Sequence, residues 1–317
     1  MRSLLLAIAL GACGGAATKQ PDVPAAPAPA AAPTTPVATA PGPAAAEIVV
    51  PLTGGGNALW WDATSHALYL TDNNANALIQ WTDAGGLQPV GTLPAGAAGI
   101  SLGGIVKRAD GTILITSFGF GKEGTLFALA ADKTSSALAG LDPVRRRVGL
   151  AQDDKGALYT AYFVGGRGEK PIGGVATVAI DGKTCVEAEI AGASTKAGFE
   201  KLVGLVATPS ALYVADQSQK TIFKIAVPGY QVSPLATLPK VDLLLRLPNG
   251  DLLTGGGNAI SRISPAGTVT PVPAGPGAAL EQVRGLAYDP AGKRLFILDH
   301  SATPGRPDQL RVRPFAG

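Results

Sequence analysis

A short pattern of alternating apolar and polar residues recurs six times between residues 47 and 317 of this chain. In each copy an apolar run follows a turn signal, and another apolar run precedes that turn. The six runs after the turns begin at Leu68, Ile113, Leu158, Leu212, Leu252 and Leu295, with separations of 45, 45, 54, 40 and 43 residues. Alternation with a period of two is typical of β-strands. The pattern therefore predicts six repeats of three or four antiparallel strands.

The length of the repeat, together with its strand pattern, indicates a particular architecture. A unit of about 45 residues has the size of one β-propeller blade. Because a single blade cannot bury both of its faces, blades are stable when they pack side by side in a ring. We predict an all-β, six-bladed β-propeller over residues 47–317. The apolar run at 47–52 belongs to no other repeat, so we expect it to supply the outer strand of the last blade and to remove an exposed sheet edge.

The first 46 residues follow a different pattern. A positive charge precedes a short apolar run at 4–10, and the sequence Leu-Gly-Ala-Cys ends at Cys13. This is the plan of a secretory signal, and the apolar run is shorter than the roughly 20 residues that span a bilayer. The tetrad resembles the bacterial lipobox, which implies that residues 1–12 are a signal peptide and that Cys13 is lipidated. By the same resemblance, Gly14 favours the outer membrane of a Gram-negative bacterium.

The segment from 13 to 46 begins with that cysteine and consists mostly of Ala, Pro, Thr and Gly. It contains too little bulky apolar surface to fold, so we predict a disordered tether between a membrane anchor and the propeller. The only other cysteine, Cys185, then has no partner for an intramolecular disulfide, and its strand context favours a buried apolar role.

Composition and charge narrow the classes of partner. The chain has 317 residues, of which 42 are Gly, 26 are Pro and 15% are charged, which fits a turn-rich all-β protein. The formal net charge is +3, and the only basic run is residues 145–147. A nucleic-acid surface needs a longer basic stripe, so no nucleic-acid partner is expected. We expect a monomer.

One face of a propeller gathers the loops that enter the innermost strands and those that leave the second strands. Ligands of propellers usually bind there, around the mouth of the central channel. The polar candidates at these positions are Asn57, Asp72, Arg147, Tyr162, Asp216, Asp242, Arg284 and Asp299. The long loops at 163–174 and 300–307 fall on the same face, which favours recognition. For Asp72, Asp216 and Asp299 the alternative is that each carboxylate caps its own turn.

The segments at 203–206, 212–216 and 222–225 resemble the repeats of the gluconolactonase and senescence-marker-protein superfamily, and also NHL-repeat propellers. This resemblance of repeat pattern covers the whole predicted domain. It implies a six-bladed propeller, and the lactonases of the superfamily hold a divalent cation with a Glu, two Asn and an Asp at the starts of inner strands.

The chain departs from that ligand set. The segment that matches the family's Asn-Gly-Leu-Ala begins with Val148, and Val203 stands in the next blade. Valine has no oxygen for a hard cation such as calcium. We therefore expect no metal or other cofactor. The alternative is calcium or another divalent cation held by Asn57, Glu200 and Asp242.

These observations favour a binding role over catalysis. The expected function is an envelope-anchored binding or scaffold module for a protein, peptide or glycan. The alternative is a metal-dependent lactonase or esterase-type hydrolase with an altered metal site. The G-x-G-x-x-G motif at 119–124 precedes a predicted strand, whereas a dinucleotide site needs a helix there, so we interpret it as a hairpin.

Lipidation of Cys13 is directly testable. Expressed in a bacterial host with its own N-terminus, the protein should incorporate labelled palmitate and fractionate with membranes, because two or three acyl chains anchor a protein stably. The variant Cys13→Ser should lose both properties, while Cys185→Ser, which removes the other thiol, should retain them. Equal palmitate labelling of Cys13→Ser and the native protein would contradict the assignment.

Overall fold

The fold was analysed in a computed structural model that describes residues 46–94, 101–166, 168–275 and 277–317. These residues form six antiparallel sheets of four strands each, which confirms the predicted all-β, six-bladed propeller. The one helical element among them is a 3₁₀ turn, Gly119–Gly121. The predicted signal peptide, lipidated Cys13 and tether lie outside the described residues. No described helix is long and apolar enough to cross a bilayer.

Strand β1 (Ile48–Pro51) comes first in the chain, and blades 1 to 5 follow as meanders in chain order. Blade 1 consists of β2 (Leu59–Asp62), β3 (Ala67–Asp72), β4 (Ala77–Thr82) and β5 (Gly86–Thr92). Blade 2 consists of β6 (Leu102–Lys107), β7 (Ile113–Ser117), β8 (Thr125–Leu129) and β9 (Ser135–Ala137). Blade 3 consists of β10 (Arg146–Gln152), β11 (Leu158–Val164), β12 (Ile172–Asp181) and β13 (Thr184–Ala191).

The second half of the ring has the same plan until its last blade. Blade 4 consists of β14 (Leu202–Ala207), β15 (Ala211–Asp216), β16 (Thr221–Ala226) and β17 (Val232–Thr237). Blade 5 consists of β18 (Leu244–Arg246), β19 (Leu252–Gly256), β20 (Ala259–Ile263) and β21 (Val269–Pro271). Blade 6 consists of β22 (Val283–Asp289), β23 (Arg294–Asp299), β24 (Gln309–Pro314) and β1.

The predicted closure of the ring is confirmed by the pairing of β1 with β24. The two strands are antiparallel, and Val50 lies opposite Leu310. Val50 packs against the apolar cluster between blades 6 and 1, whereas Ile48 and Val49 are exposed. The first and last strands of the folded domain therefore share one sheet, and β24 has no unpaired edge.

Buried charge reinforces this closure. The Glu47 carboxylate accepts a hydrogen bond from Arg313 Nε and lies 3.7 Å from Arg311 Nη1. Arg311 is 1% exposed, and its Nη2 lies 3.0 Å from Asp299 Oδ2. A guanidinium so deeply buried needs opposite charge nearby, and here both blade 6 and the segment before β1 supply it.

The apolar core is divided among the contacts between blades. Six buried clusters occur in the described residues, and each joins two neighbouring blades. Between blades 6 and 1, for example, Phe296 stacks on Trp61 at 5.1 Å and meets Trp81 edge-on at 5.8 Å. Cys185 belongs to the cluster between blades 2 and 3, and burial raises the pKa of its thiol to about 11, so it is an inert apolar residue as expected.

Irregular pairing marks the start of several inner strands. The register shifts between Arg147 and Gly149, between Leu202 and Gly204, and between Val283 and Gly285. The residues left unpaired are Val148, Val203 and Arg284. Such bulges change the direction of a side chain next to the regular ladder. The G-x-G-x-x-G segment is a hairpin connection as predicted, because Ser117 pairs with Thr125 across it.

Because the Glu47 carboxylate takes part in the ring closure, we expect its loss to lower the stability of the folded protein strongly. Glu47→Gln should lower the free energy of unfolding by about 3 kcal/mol, because it removes charge from a buried ion-pair network. Asp154→Asn makes the same chemical change at an exposed turn and should alter stability by about 0.5 kcal/mol or less. Deletion of residues 47–52 should destabilise more than either variant. Urea denaturation checks these expectations, and equal midpoints for Glu47→Gln and Asp154→Asn would refute the role of Glu47.

Candidate functional site

A cavity of about 460 Å³ lies at one mouth of the central channel. Its walls consist of Asn57, Phe118, Phe120, Arg146, Val148, Phe163, Gly166, Pro171, Lys201, Val203, Gln217, Asp242, Leu243, Gln282 and Arg284. We call it the mouth cavity. Val148 and Leu243 also border a second cavity of about 360 Å³, which the inner strands enclose farther along the channel. The volume of the mouth cavity is in the range of small-molecule sites.

The starts of the inner strands position the floor and the polar groups of the mouth cavity. Val148, Val203 and Arg284 are the unpaired residues of the bulges in β10, β14 and β22. Asn57 and Asp242 lie just before β2 and β18. Five blades thus each direct one of these side chains towards the same mouth.

Among the described residues, Asp242 is the only carboxylate that lines the mouth cavity. Burial raises the pKa of this carboxyl to about 6, while the positive charges of Arg284 and Lys201 act in the opposite direction. Gln217 Nε2 donates a long hydrogen bond to Asp242 Oδ2, at 3.4 Å. A half-buried carboxyl that titrates near neutral pH is suited to accept and release a proton.

The remaining polar wall is positively charged. Three described cavity residues are cations, namely Arg146, Lys201 and Arg284, against the single carboxylate of Asp242. The described walls therefore carry an excess of two positive charges. Arg284 Nη1 lies 3.4 Å from Asn57 Oδ1, and Asn57 Nδ2 donates to the Leu102 carbonyl at 3.2 Å. This arrangement favours anionic groups or negative charge that develops during a reaction.

Three of the eight candidates from sequence line the mouth cavity: Asn57, Asp242 and Arg284. Arg147 does not, because it is fully buried, donates to the Glu187 carboxylate and also to the Gly124 carbonyl at 3.0 Å. The Tyr162 hydroxyl is buried and donates to the Glu189 carboxylate; this burial and the hydrogen bond raise its pKa. Tyr162 thus ties two strands of blade 3 together, and Arg147 also ties blade 3 to the β7–β8 connection of blade 2.

The remaining three candidates, Asp72, Asp216 and Asp299, are buried, and their carboxylates bind backbone amides. Asp72 Oδ1 accepts from the amide of Asn74 at 2.9 Å. Asp216 Oδ2 accepts from the amide of Glu200 at 2.7 Å, and Asp299 Oδ1 accepts from Glu281 at 2.8 Å. Asp72 and Asp216 also accept from amides of the turns that follow them, as the capping alternative expects. Asp299 instead holds the loop that enters β22 and forms an ion pair with Arg311.

Other wall residues were not among the candidates from sequence. Arg146 faces the mouth cavity in place of its neighbour Arg147, and Phe118 and Phe120 come from the loop between β7 and β8. Lys201 directly precedes β14. Arg146 and Arg147 are successive strand residues and point to opposite faces, and the packing of β10 in the ring decides which of them faces the ligand space.

The donors do not fit a hard divalent cation. Glu200 does not line the mouth cavity and forms an ion pair with Lys170 at 2.9 Å. Asn57 Oδ1 faces the Arg284 guanidinium, which leaves Asp242 as the one anionic ligand among the described residues of the cavity wall. The described residues contain no group of three or more His, Cys, Asp or Glu side chains placed to hold a metal. Calcium prefers six to eight oxygen ligands, so this wall suits it poorly.

Comparison with solved structures confirms the expected resemblance at the level of the fold. A luciferin-regenerating enzyme superposes with a TM-score of 0.62 at 15% identity, covering 86% of this chain and 98% of that one. A gluconolactonase from Xanthomonas campestris gives 0.62 at 17% identity, with coverage of 82% and 86%. The calcium-binding protein regucalcin from Agrobacterium tumefaciens gives 0.62 at 16% identity, with coverage of 84% and 93%. No protein-family model and no curated protein sequence matches the chain.

The raised pKa of Asp242 predicts that this residue lowers stability at neutral pH. The carboxyl titrates near 4 in the unfolded chain and at about 6 in the folded protein. Above pH 6 the folded state must therefore hold a poorly solvated charge, whereas below pH 4 the carboxyl is protonated in both states. Asp242→Asn should stabilise the protein by about 2 kcal/mol at pH 7.5, and this gain should disappear by pH 4.

Urea denaturation at both pH values measures the effect, with Asp154→Asn as the exposed control. A gain that is the same at both pH values would show that burial of the charge is not its cause. A loss of stability at pH 7.5 would mean that the carboxylate makes a stabilising contact.

Proposed function

We propose that the protein hydrolyses a small ester or lactone and that the mouth cavity is its active site. The observation that carries this proposal is the half-buried Asp242 carboxyl on the wall of a ligand-sized cavity. Its pKa is about 6, and two cations of the same wall, Arg284 and Lys201, act on it. This is the alternative from the sequence analysis, an esterase- or lactonase-type hydrolase, with the general base on Asp242 instead of a metal centre.

The residues divide the chemistry as follows. Ionised Asp242 takes a proton from a water molecule while the water oxygen bonds to the acyl carbon. Arg284 stabilises the negative charge that forms on the carbonyl oxygen. When this intermediate collapses, the bond to the leaving oxygen breaks, and Asp242 returns its proton to that oxygen. The products are a carboxylic acid and an alcohol, which remain in one molecule if the substrate is a lactone.

The shared fold supports the proposal without assigning a substrate. One similar structure is a gluconolactonase, and another is a luciferin-regenerating enzyme. Both names describe those proteins. In this chain Val148 and Val203 give the cavity an apolar floor, so Asp242 and its neighbouring cations must supply the polar chemistry.

A binding module for a protein, peptide or glycan remains the second candidate. Phe120 favours it, because this aromatic side chain is 40% exposed at the rim of the mouth cavity and offers apolar contact area to a partner. With either function, we place the propeller at the cell envelope, held through lipidated Cys13 and the tether at the outer membrane. The Leu-Gly-Ala-Cys sequence supports this placement.

The hydrolase proposal is tested with glucono-1,5-lactone, dihydrocoumarin and 4-nitrophenyl acetate between pH 4.5 and 8.5. We expect hydrolysis of at least one of them, with kcat/KM rising through pH 6 as Asp242 ionises, and no loss in the presence of a chelator. Asp242→Asn should lower kcat about 100-fold or more, the size of a lost general base. Lys201→Gln should move the midpoint of the pH profile upwards, because a charge that stabilises the carboxylate is gone.

Asp154→Asn serves as the control and should keep the native profile. Activity that survives in Asp242→Asn, or that a chelator abolishes, would refute this mechanism. Absence of turnover with all three probes would favour the binding module.

A further inference from the structure

Two of the cations in the mouth cavity share one aromatic ring. The Arg146 guanidinium carbon lies 5.5 Å from the centre of the Phe163 ring, and Lys201 Nζ lies 5.7 Å from it. Phe163 is only 5% exposed, so the ring is a fixed part of blade 3. The ring brings together positive charges from the starts of two different blades, which would otherwise repel each other.

These cations retain unused capacity for an anion. Arg146 Nη2 donates to the Phe120 carbonyl at 3.1 Å, but its Nε is buried and has no hydrogen-bond partner in the described part of the chain. Within the same residues, Lys201 forms no ion pair with a carboxylate within 4.0 Å. Arg146 likewise forms no ion pair with a described carboxylate within 4.0 Å, so neither positive charge is neutralised, and a bound anion would form charge-assisted hydrogen bonds with both side chains.

The surfaces around this pair are apolar and aromatic. Phe118 and Phe120 meet edge-to-face with their ring centres 5.6 Å apart, and both line the cavity. Val148 and Val203 form its floor. A ligand that fills this space therefore presents an apolar body to the aromatic rings and a negative charge to Arg146 and Lys201.

We infer that the mouth cavity selects an aromatic molecule with a carboxylate, and that Arg146 and Lys201 bind this carboxylate beside Phe163. Cleavage of such a molecule rests on the proposed function. The selectivity for its carboxylate does not, since it applies equally to a ligand that is bound without being cleaved. Asp242 lies on the same cavity wall, so an ester on the aromatic ring is the substrate class that fits both groups.

Matched substrates test the charge selectivity. 4-Acetoxybenzoate and phenyl acetate carry the same aryl ester, and only the former has a carboxylate. The native protein should hydrolyse 4-acetoxybenzoate with at least tenfold higher kcat/KM. Arg146→Gln and Lys201→Gln should each lower kcat/KM for 4-acetoxybenzoate about tenfold or more relative to phenyl acetate, the effect of one lost charge-assisted hydrogen bond. Taking this ratio between substrates removes the influence that Lys201 has on Asp242.

Arg246→Gln is the matched control. It removes the same charge at an exposed position that borders the far part of the channel and does not line the mouth cavity. This variant should leave the ratio between the two substrates within about twofold of the native value. Similar ratios in all three variants would overturn the assignment of Arg146 and Lys201.

A binding measurement separates this inference from the hydrolase proposal. Calorimetry with Asp242→Asn compares 4-hydroxybenzoate with phenol, neither of which contains an ester. At least tenfold tighter binding of 4-hydroxybenzoate, weakened by adding Arg146→Gln, would support the carboxylate site even if no ester is hydrolysed. Equal affinity for the two probes would overturn the carboxylate site, and ester hydrolysis that depends on Asp242 would still support the proposed function.

Discussion

The pairing of β1 with β24 is the constraint on which the rest of the structure depends. Each blade has two apolar faces, and the six buried clusters lie between blades, so an open ring would expose two of these faces to water. The hydrogen bonds between the first and last strands join the ends of the domain in a single sheet. Glu47 adds charge to this closure, because it lies beside two buried arginines of β24, Arg311 and Arg313.

The functional face is a consequence of the same closure. Only a complete ring brings the starts of the inner strands together around one channel. The bulges at these positions then direct Val148, Val203 and Arg284 out of the sheet ladder and towards the mouth. Asp242 joins them from blade 5, and enclosure by the neighbouring blades keeps water from its carboxyl and raises the pKa. The chemistry of the site is thus generated by packing between blades.

The same fold carries different chemistry in different chains. The superfamily that the repeats resemble uses oxygen ligands at the starts of inner strands to hold a cation. This chain has valines at two such positions, and the described walls of its mouth cavity carry three cations and one carboxylate. Positive side chains disfavour a bound metal ion, so a similar scaffold carries a different charge pattern at the mouth of its channel.

The sequence by itself determined the architecture, because strand alternation, turn residues and a repeat of about 45 residues are local properties of the chain. It also indicated the closing strand, the hairpin at 119–124 and the absence of oxygen ligands at Val148 and Val203. Only the tertiary structure decided that Arg146 faces the ligand space while Arg147 is buried, since the packing of β10 against its neighbouring blades sets which side of the strand is enclosed. It likewise decided the contacts of the capping aspartates and the proton affinity of Asp242. These properties depend on burial and on contacts between residues far apart in the chain, for which the sequence carries no local signal.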